Sequence, residues 1–256
     1  MRLLTQFEKI IGISVVIGME KKVVCSCESC QHKLCARKVP VFSGLDTEEL
    51  SRVAELIKRK RYDKGEWIIS EGSCPEELVF INSGQVKVFK YTAEGKEQIL
   101  YIFSEGDFFG EKNLLKNQQA GFYVEALEPT NVCMINKGDF QGLLRAYPNI
   151  GIKIAEELCN RLDRLENALQ GMGAKNVESR INTVLLDFAA RYGKHHAGGV
   201  LVDLPLSREG IANYIGTTRE TVSRKLGLLQ DEGVVEMIGN KKVLIRDIKK
   251  LEEQGI

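Results

Sequence analysis

The sequence predicts an α+β protein: an antiparallel β-roll, then one long helix, then a winged helix-turn-helix. Three observations predict it. Between residues 62 and 140, short alternating apolar runs are separated by glycine turns. Over residues 149–169, isoleucines and leucines recur at three- and four-residue steps. Over residues 207–245, two capped helices meet at a glycine and are followed by two short strands around Gly239-Asn240.

The elements follow in order. Residues 45–61 read as a helix, with Leu45, Leu50, Val53, Leu56 and Ile57 on one face and Asp46 as the cap. The roll then needs short strands, and the runs at 67–69, 78–81, 86–89, 98–102 and 122–124 supply them. Turns fall at Asp63-Lys64-Gly65, Asn82-Ser83-Gly84, Ala93-Glu94-Gly95-Lys96 and Glu105-Gly106-Asp107. The long helix, 149–169, carries the stripe Ile150, Ile154, Leu158, Leu162, Leu165, Leu169. So narrow a seam suits a second helix of the same kind, with Ile154, Leu158, Leu162 and Leu165 as the contact of a homodimer; the alternative is a helix lying on its own barrel. Lys153, Glu156, Glu157, Arg161, Asp163, Arg164 and Glu166 make its polar face, and Gly171 and Gly173 are expected to break it and form a hinge. A helix over 178–192 then leads to the capped pair.

That pair reads as a DNA-binding element. Gly216 closes the first helix and Thr218 caps the second, which runs to about 232. The strands at 234–238 and 242–245 form the wing. On the second helix Glu220, Ser223 and Arg224 share one face and Arg219 flanks it, while Val222, Leu226 and Leu229 face inward. An arginine bonds guanine O6 and N7 bidentately, which discriminates by about 1–3 kcal/mol, and a glutamate accepts from cytosine N4. An i,i+4 ion pair between Glu220 and Arg224 on a solvated helix would account for those two charges, but not for the caps and the wing around them.

Composition bounds the rest. At 256 residues the chain is long enough for two small cores, and 43% hydrophobic with 28% charged residues is the make-up of an ordinary globular protein. A net charge of +1 provides no global field for nucleic acid, so DNA binding falls to a local patch. The apolar run at 10–18 is too short to span a membrane; residues 1–18 read as an extension, Met19 as a plausible start, and the protein as cytoplasmic with no membrane partner. The seven cysteines are clustered, with Cys25, Cys27, Cys30 and Cys35 inside eleven residues. Such density points to zinc, an iron–sulfur cluster or a redox disulfide. The roll contains no histidine, since the three in the chain are His32, His195 and His196. That argues against haem ligation there and against a cupin-like catalytic barrel, so no enzyme is expected.

The stretch from Leu206 through Arg208-Glu209-Gly210-Ile211-Ala212 to Arg219-Glu220-Thr221-Val222-Ser223-Arg224 resembles the helix-turn-helix of the cyclic-AMP receptor / fumarate-nitrate regulator family. The likeness extends upstream through Phe109-Gly110-Glu111 and covers roughly residues 36–250. It implies a roll of the cyclic-nucleotide-binding, jelly-roll kind, dimerisation through the long helix, a palindromic double-stranded operator and contact with RNA polymerase. The domains are then an extension, 1–24; a cysteine cluster, 25–36; the sensor roll, 37–148; the dimerisation helix and hinge, 149–173; and the winged helix-turn-helix, 174–256.

Within the family the cyclic-nucleotide branch places an Arg-Ser pair about ten residues after the Gly-Glu of the roll. Here that place holds Ala120-Gly121, and no arginine or lysine lies between Lys116 and Lys137. A buried phosphate without a paired cation is costly, so cyclic AMP is not expected. The iron–sulfur branch resembles this chain best, with an N-terminal cysteine cluster and one cysteine late in the roll. That resemblance implies a 4Fe-4S cluster on Cys27, Cys30, Cys35 and Cys133, sensing oxygen or redox state. Four residues separate Cys30 from Cys35 where the best-known pattern has five, so Cys25 stands as an alternative ligand. Zinc on Cys27, Cys30 and Cys35, with His32 or Cys25, and a disulfide between a cluster cysteine and Cys133 are the rivals. Cys74 is expected outside the site and Cys159 buried as an apolar residue. For the operator, Ser223 resembles the type that favours TTGAT and Arg219 the type that favours TGTGA.

Overall fold

The computed structural model describes residues 35–254, less 117 and 175. Cys25, Cys27, Cys30, His32 and the extension at 1–18 lie outside the described residues. The described chain opens with two 3-10 turns, Cys35–Lys38 and Pro40–Phe42, and helix α1, Thr47–Leu56. Asp46 caps α1 as expected. Its carboxylate accepts from the N–H groups of Glu48 and Glu49, and the Glu49 carboxylate accepts from the Asp46 N–H at 2.8 Å.

The helix ends at Leu56 rather than at 61. The basic run becomes strand β1, Lys58–Tyr62, laid antiparallel along a later strand. A helical pattern read locally cannot register that neighbour, and its ladder decides the backbone. The roll continues through β2 (Trp67–Ile69), β3 (Glu77–Ser83), β4 (Val86–Tyr91), β5 (Glu97–Phe103) and β6 (Phe108–Phe109). Helix α2 (Glu111–Lys116) and strands β7 (Tyr123–Ala126) and β8 (Thr130–Asn136) complete it.

The strands form two four-stranded sheets, ordered β1-β8-β3-β6 and β2-β7-β4-β5. One apolar core draws on both: Tyr62, Val79, Phe109 and Val132 from the first, Ile69, Val88, Phe103 and Val124 from the second. Gly110 sits at φ 97°, where a Cβ would lie 2.6 Å from the Glu77 carbonyl oxygen. Gly110→Ala is therefore expected to destabilise the roll by more than about 1 kcal/mol, visible as a lower unfolding midpoint.

Helix α3 (Lys137–Ala146) follows, and then the long helix α4, Pro148–Ala174. It runs through Gly171 and Gly173, which were expected to break it. A glycine costs a helix only about 1 kcal/mol against alanine. The next helix begins anew: the Asn176 side chain caps α5 (Val177–Tyr192) by accepting from the Ser179 N–H at 2.8 Å.

After α5 come a hairpin, β9 (Gly193–His196) and β10 (Gly199–Asp203), helices α6 (Arg208–Ile215) and α7 (Arg219–Asp231), strands β11 (Val235–Ile238) and β12 (Lys242–Ile245), and α8 (Ile248–Glu253). Their sheet is ordered β11-β12-β10-β9. Its core holds Phe188, Ile211, Val222 and Leu229, and it also includes Phe89, Ile99 and Ile102 from the roll. One continuous core thus crosses from strands β4 and β5 to the C-terminal helices. None of the described helices is long and apolar enough to cross a membrane.

Candidate nucleic-acid interface and thiol site

The helix-turn-helix is built from its caps. Ser207 caps α6 by accepting from the Gly210 N–H at 3.1 Å. Gly216, at φ 71°, ends α6 in the left-handed conformation that glycine adopts at no steric cost. Thr218 then caps α7, accepting from the Thr221 N–H at 3.3 Å. Val222, Leu226 and Leu229 are buried, as the periodicity predicts, so the remaining faces of α7 are offered outward.

On the outer face Arg219, Glu220 and Arg224 are exposed and Ser223 is half-buried. The Glu220 backbone N–H, and after it the Thr218 hydroxyl, hold the Glu220 carboxyl below the usual carboxylate range. Glu220 is thus anionic at the start of its own helix, where the helix dipole favours negative charge. The ion pair of Arg224 runs to Glu178 of α5, 3.7 Å away, and Lys225 reaches the same carboxylate at 3.6 Å. Arg224 keeps most of its side chain in solvent, so the contact steers it without occupying it.

Three residues that sequence reasoning passed over tie α6, α5 and the roll to one another. Gln98 of β5 donates to the Tyr214 carbonyl at 3.3 Å. Arg180 of α5 donates to the Ile215 carbonyl at 2.9 Å. Arg191 donates to the Ile102 carbonyl of β5 at 2.9 Å. Two of these satisfy carbonyls in the last turn of α6, groups a helix leaves without internal partners. They fall far apart in sequence, and no spacing rule links them.

The roll carries the other candidate site. Cys133 lies on β8, inside its sheet, opposite Arg59 on one side and Phe80 on the other. It is buried, with 4% of its surface exposed. It shares a cavity with Ala36, Val39, Phe42, Ile57, Phe80, Ile81 and Asn82. Ala36 directly follows Cys35, which opens the first 3-10 turn. The turn bearing one predicted ligand therefore packs over the strand bearing another. The Asn82 side-chain oxygen in the same cavity is buried and has no hydrogen-bond partner among the described residues. No group of three or more His, Cys, Asp or Glu side chains gathers among the described residues, and Cys25, Cys27 and Cys30 lie outside them. One buried cysteine beside an unmet polar atom, with a second cysteine position on the adjoining turn, is a donor chemistry that fits a soft-ligand iron or zinc centre.

Cys74 is exposed between β2 and β3, away from this cavity. Cys159 is also exposed, against the expectation that it is buried. The difference comes from how α4 lies. The predicted seam splits: Ile154 is buried within the chain, Leu158 is half-buried, and Leu162 and Leu165 are exposed. Arg161, read as part of the polar face, is buried, with 6% exposed. Leu162 is joined on the open side by Ile152, Ala155 and Cys159.

At the place of the Arg-Ser pair, Ala120 is buried, and Gly121 follows. Tertiary structure brings Lys90 near: its Nζ is 3.6 Å from where a Gly121 Cβ would stand. That lysine is exposed. Glu111 of the Gly-Glu pair is buried and in contact with Arg161 at 3.4 Å.

Comparison with known proteins agrees with this architecture. The family model for a cyclic nucleotide-binding domain matches residues 59–147, and that for a Crp-like helix-turn-helix domain matches residues 179–254. The chain is 32% identical over 219 residues to a protein named probable transcriptional regulator flp from Lacticaseibacillus casei, covering 86% of this chain and 97% of that one. It is 29% identical over 214 residues to the cyclic AMP receptor protein of Thermus thermophilus, covering 84% and 95%. The structure of FixK2 from Bradyrhizobium japonicum superposes with a TM-score of 0.70 at 26% identity, covering 78% and 98%.

Proposed function

The chain belongs to the Crp/Fnr family of DNA-binding transcription regulators, and on that premise we propose that it senses oxygen or redox state through a 4Fe-4S cluster. It is a regulator and not an enzyme, and proteins of this family bind DNA as dimers and contact RNA polymerase. The proposed ligands are Cys27, Cys30, Cys35 and Cys133, with Cys25 as the alternative to one of the first three. The observation that carries the reading is the cavity that Cys133 shares with the turn opened by Cys35. Bound there, a cluster would supply an oxygen-labile covalent tie between the N-terminal segment and the roll.

The chain's own residues supply a route outward from that tie. Phe42 of the second 3-10 turn lines the cavity with Cys133. Its neighbour Val41 lines a groove with Asn149, Ile150, Ile152 and Lys153 at the start of α4. One turn thus touches both the cysteine cavity and the dimerisation helix, and holding it biases the helix. The two α7 helices of a dimer then meet successive major-groove faces of a palindromic operator.

Cyclic AMP is excluded from the proposal. Ala120-Gly121 offers no side-chain cation to a buried phosphate, and Glu111 is engaged by Arg161. The protein is proposed to act in the cytoplasm.

Anaerobic isolation with iron, sulfide and zinc analysis tests the reading. The expected protein is brown, with about four irons and four sulfides per chain, and loses operator affinity in air. A colourless protein with stoichiometric zinc overturns it in favour of a structural metal. A metal-free protein with a reversible disulfide to Cys133 overturns it in favour of a thiol switch.

For the operator, Arg224→Ala is expected to cost about 1–3 kcal/mol and to relax one base position. Binding measured against single-base operator variants reads this directly. Uniform weakening across all variants would make Arg224 a phosphate contact instead.

A further inference from the structure

Arg161 of α4 is buried against the roll, with two aromatic rings, a carbonyl and a carboxylate around its guanidinium. Its guanidinium carbon lies 4.6 Å from the Phe103 ring centre and 4.5 Å from that of Phe108. Nη2 donates to the Phe108 carbonyl at 2.8 Å, Nη1 meets the Glu111 carboxylate at 3.4 Å, and Nε meets Glu157 at 3.3 Å. The rings continue as a column, Phe103 stacking on Tyr101 at 5.6 Å and on Phe109 at 6.1 Å, nearly parallel in each case.

Two aromatic faces, a carbonyl and a buried carboxylate are the recognition set for a planar cation. The second oxygen of Glu111 is buried and has no hydrogen-bond partner among the described residues. Glu111 itself is placed by Gly110, whose backbone other residues rarely adopt. Burying a charged pair is a poor route to stability, because desolvation offsets much of the attraction. The arrangement therefore needs another reason, and the geometry of α4 offers one.

At about 100° per residue, Leu162, Cys159 and Ile152 stand roughly 100–180° around the helix from Arg161. All three are exposed. Pinning Arg161 into the roll fixes the rotation of α4 about its axis and so decides which residues form the open seam.

We propose that Glu111, Phe103, Phe108 and the Phe108 carbonyl form a guanidinium receptor, that Arg161 is its built-in ligand, and that Arg161 is the positioning residue presenting the Ile152–Cys159–Leu162 face to a second copy of the chain. The proposal does not depend on what the cysteines hold.

The test is the dimer dissociation constant of the full-length chain by sedimentation equilibrium, with Arg161→Ala and Arg161→Lys. Arg161→Ala is expected to weaken the dimer by at least about tenfold. Millimolar ethylguanidinium should restore it saturably, while ethylammonium at the same concentration should not. Adding Glu111→Ala should abolish the rescue. A dimer of wild-type affinity in Arg161→Ala, or a loss that ethylguanidinium does not selectively repair, overturns the proposal. Should Arg161→Ala fail to fold, Arg161→Lys decides, because lysine keeps the charge but lacks the planar fork. A weakened Arg161→Lys dimer supports the assignment, and one of wild-type affinity overturns it.

Discussion

Cys133→Ala, isolated without oxygen, is expected to lose nearly all of its iron and sulfide and with them its oxygen-dependent DNA binding. A four-iron cluster takes one thiolate at each corner, and the N-terminal cysteines alone do not tie the segment to the roll. The fold should survive. Replacing one buried sulfur by hydrogen removes little apolar surface, about 1 kcal/mol of burial, so the metal-free variant should unfold close to the metal-free parent. Cys74→Ala is the control, since Cys74 is exposed between β2 and β3 and should leave the iron content intact. A brown, iron-replete Cys133→Ala would remove Cys133 from the ligand set, and with it the role assigned to the cavity.

Phe188→Ala should produce a large loss of stability. Phe188 is fully buried on α5, stacks on Tyr214 of α6 at 6.3 Å and meets Tyr192 at 6.0 Å. Truncating a buried phenylalanine costs about 3–5 kcal/mol, a large part of the roughly 5–15 kcal/mol that holds a typical protein folded. At this size the unfolding midpoint should fall by on the order of 10 °C. The shared core adds a second expectation. Phe89, Ile99 and Ile102 of the roll belong to the same cluster, so roll and helix-turn-helix should melt together at the lowered temperature. A roll transition left at its original midpoint would show that the two cores are independent.

The legible parts of the chain were those whose cause is local. The caps at Asp46, Ser207 and Thr218, the left-handed Gly216 and the inward set Val222, Leu226 and Leu229 each follow from causes acting within a few residues. The misreadings share the opposite property. Residues 58–61 fit a helix until β8 lies alongside them. Arg161 belongs on a polar face until Glu111 and two phenylalanine rings surround it. Cys159 reads as a buried apolar residue until the rotation of α4 is known. Helices α2 and α3 and the β9–β10 hairpin went unread, since none carries a strong period over its short length.

The sequence by itself determined the class of protein. A strand-rich roll, a long helix and a capped helix-turn-helix with Arg219, Glu220, Ser223 and Arg224 outward are patterns of period and capping, and short-range sterics and hydrogen bonds enforce them. Tertiary structure alone decided which distant groups meet. Cys133 came to share a cavity with the turn that Cys35 opens, Gln98 came to hold the end of α6, and Arg161 came to fill the roll. Those meetings depend on how sheets and helices pack across 50 to 120 residues of chain, for example |i−j| of 53 for Arg161 with Phe108 and 116 for Gln98 with Tyr214. Packing at that range is set by the sum of many weak contacts, and no single spacing in the sequence records it.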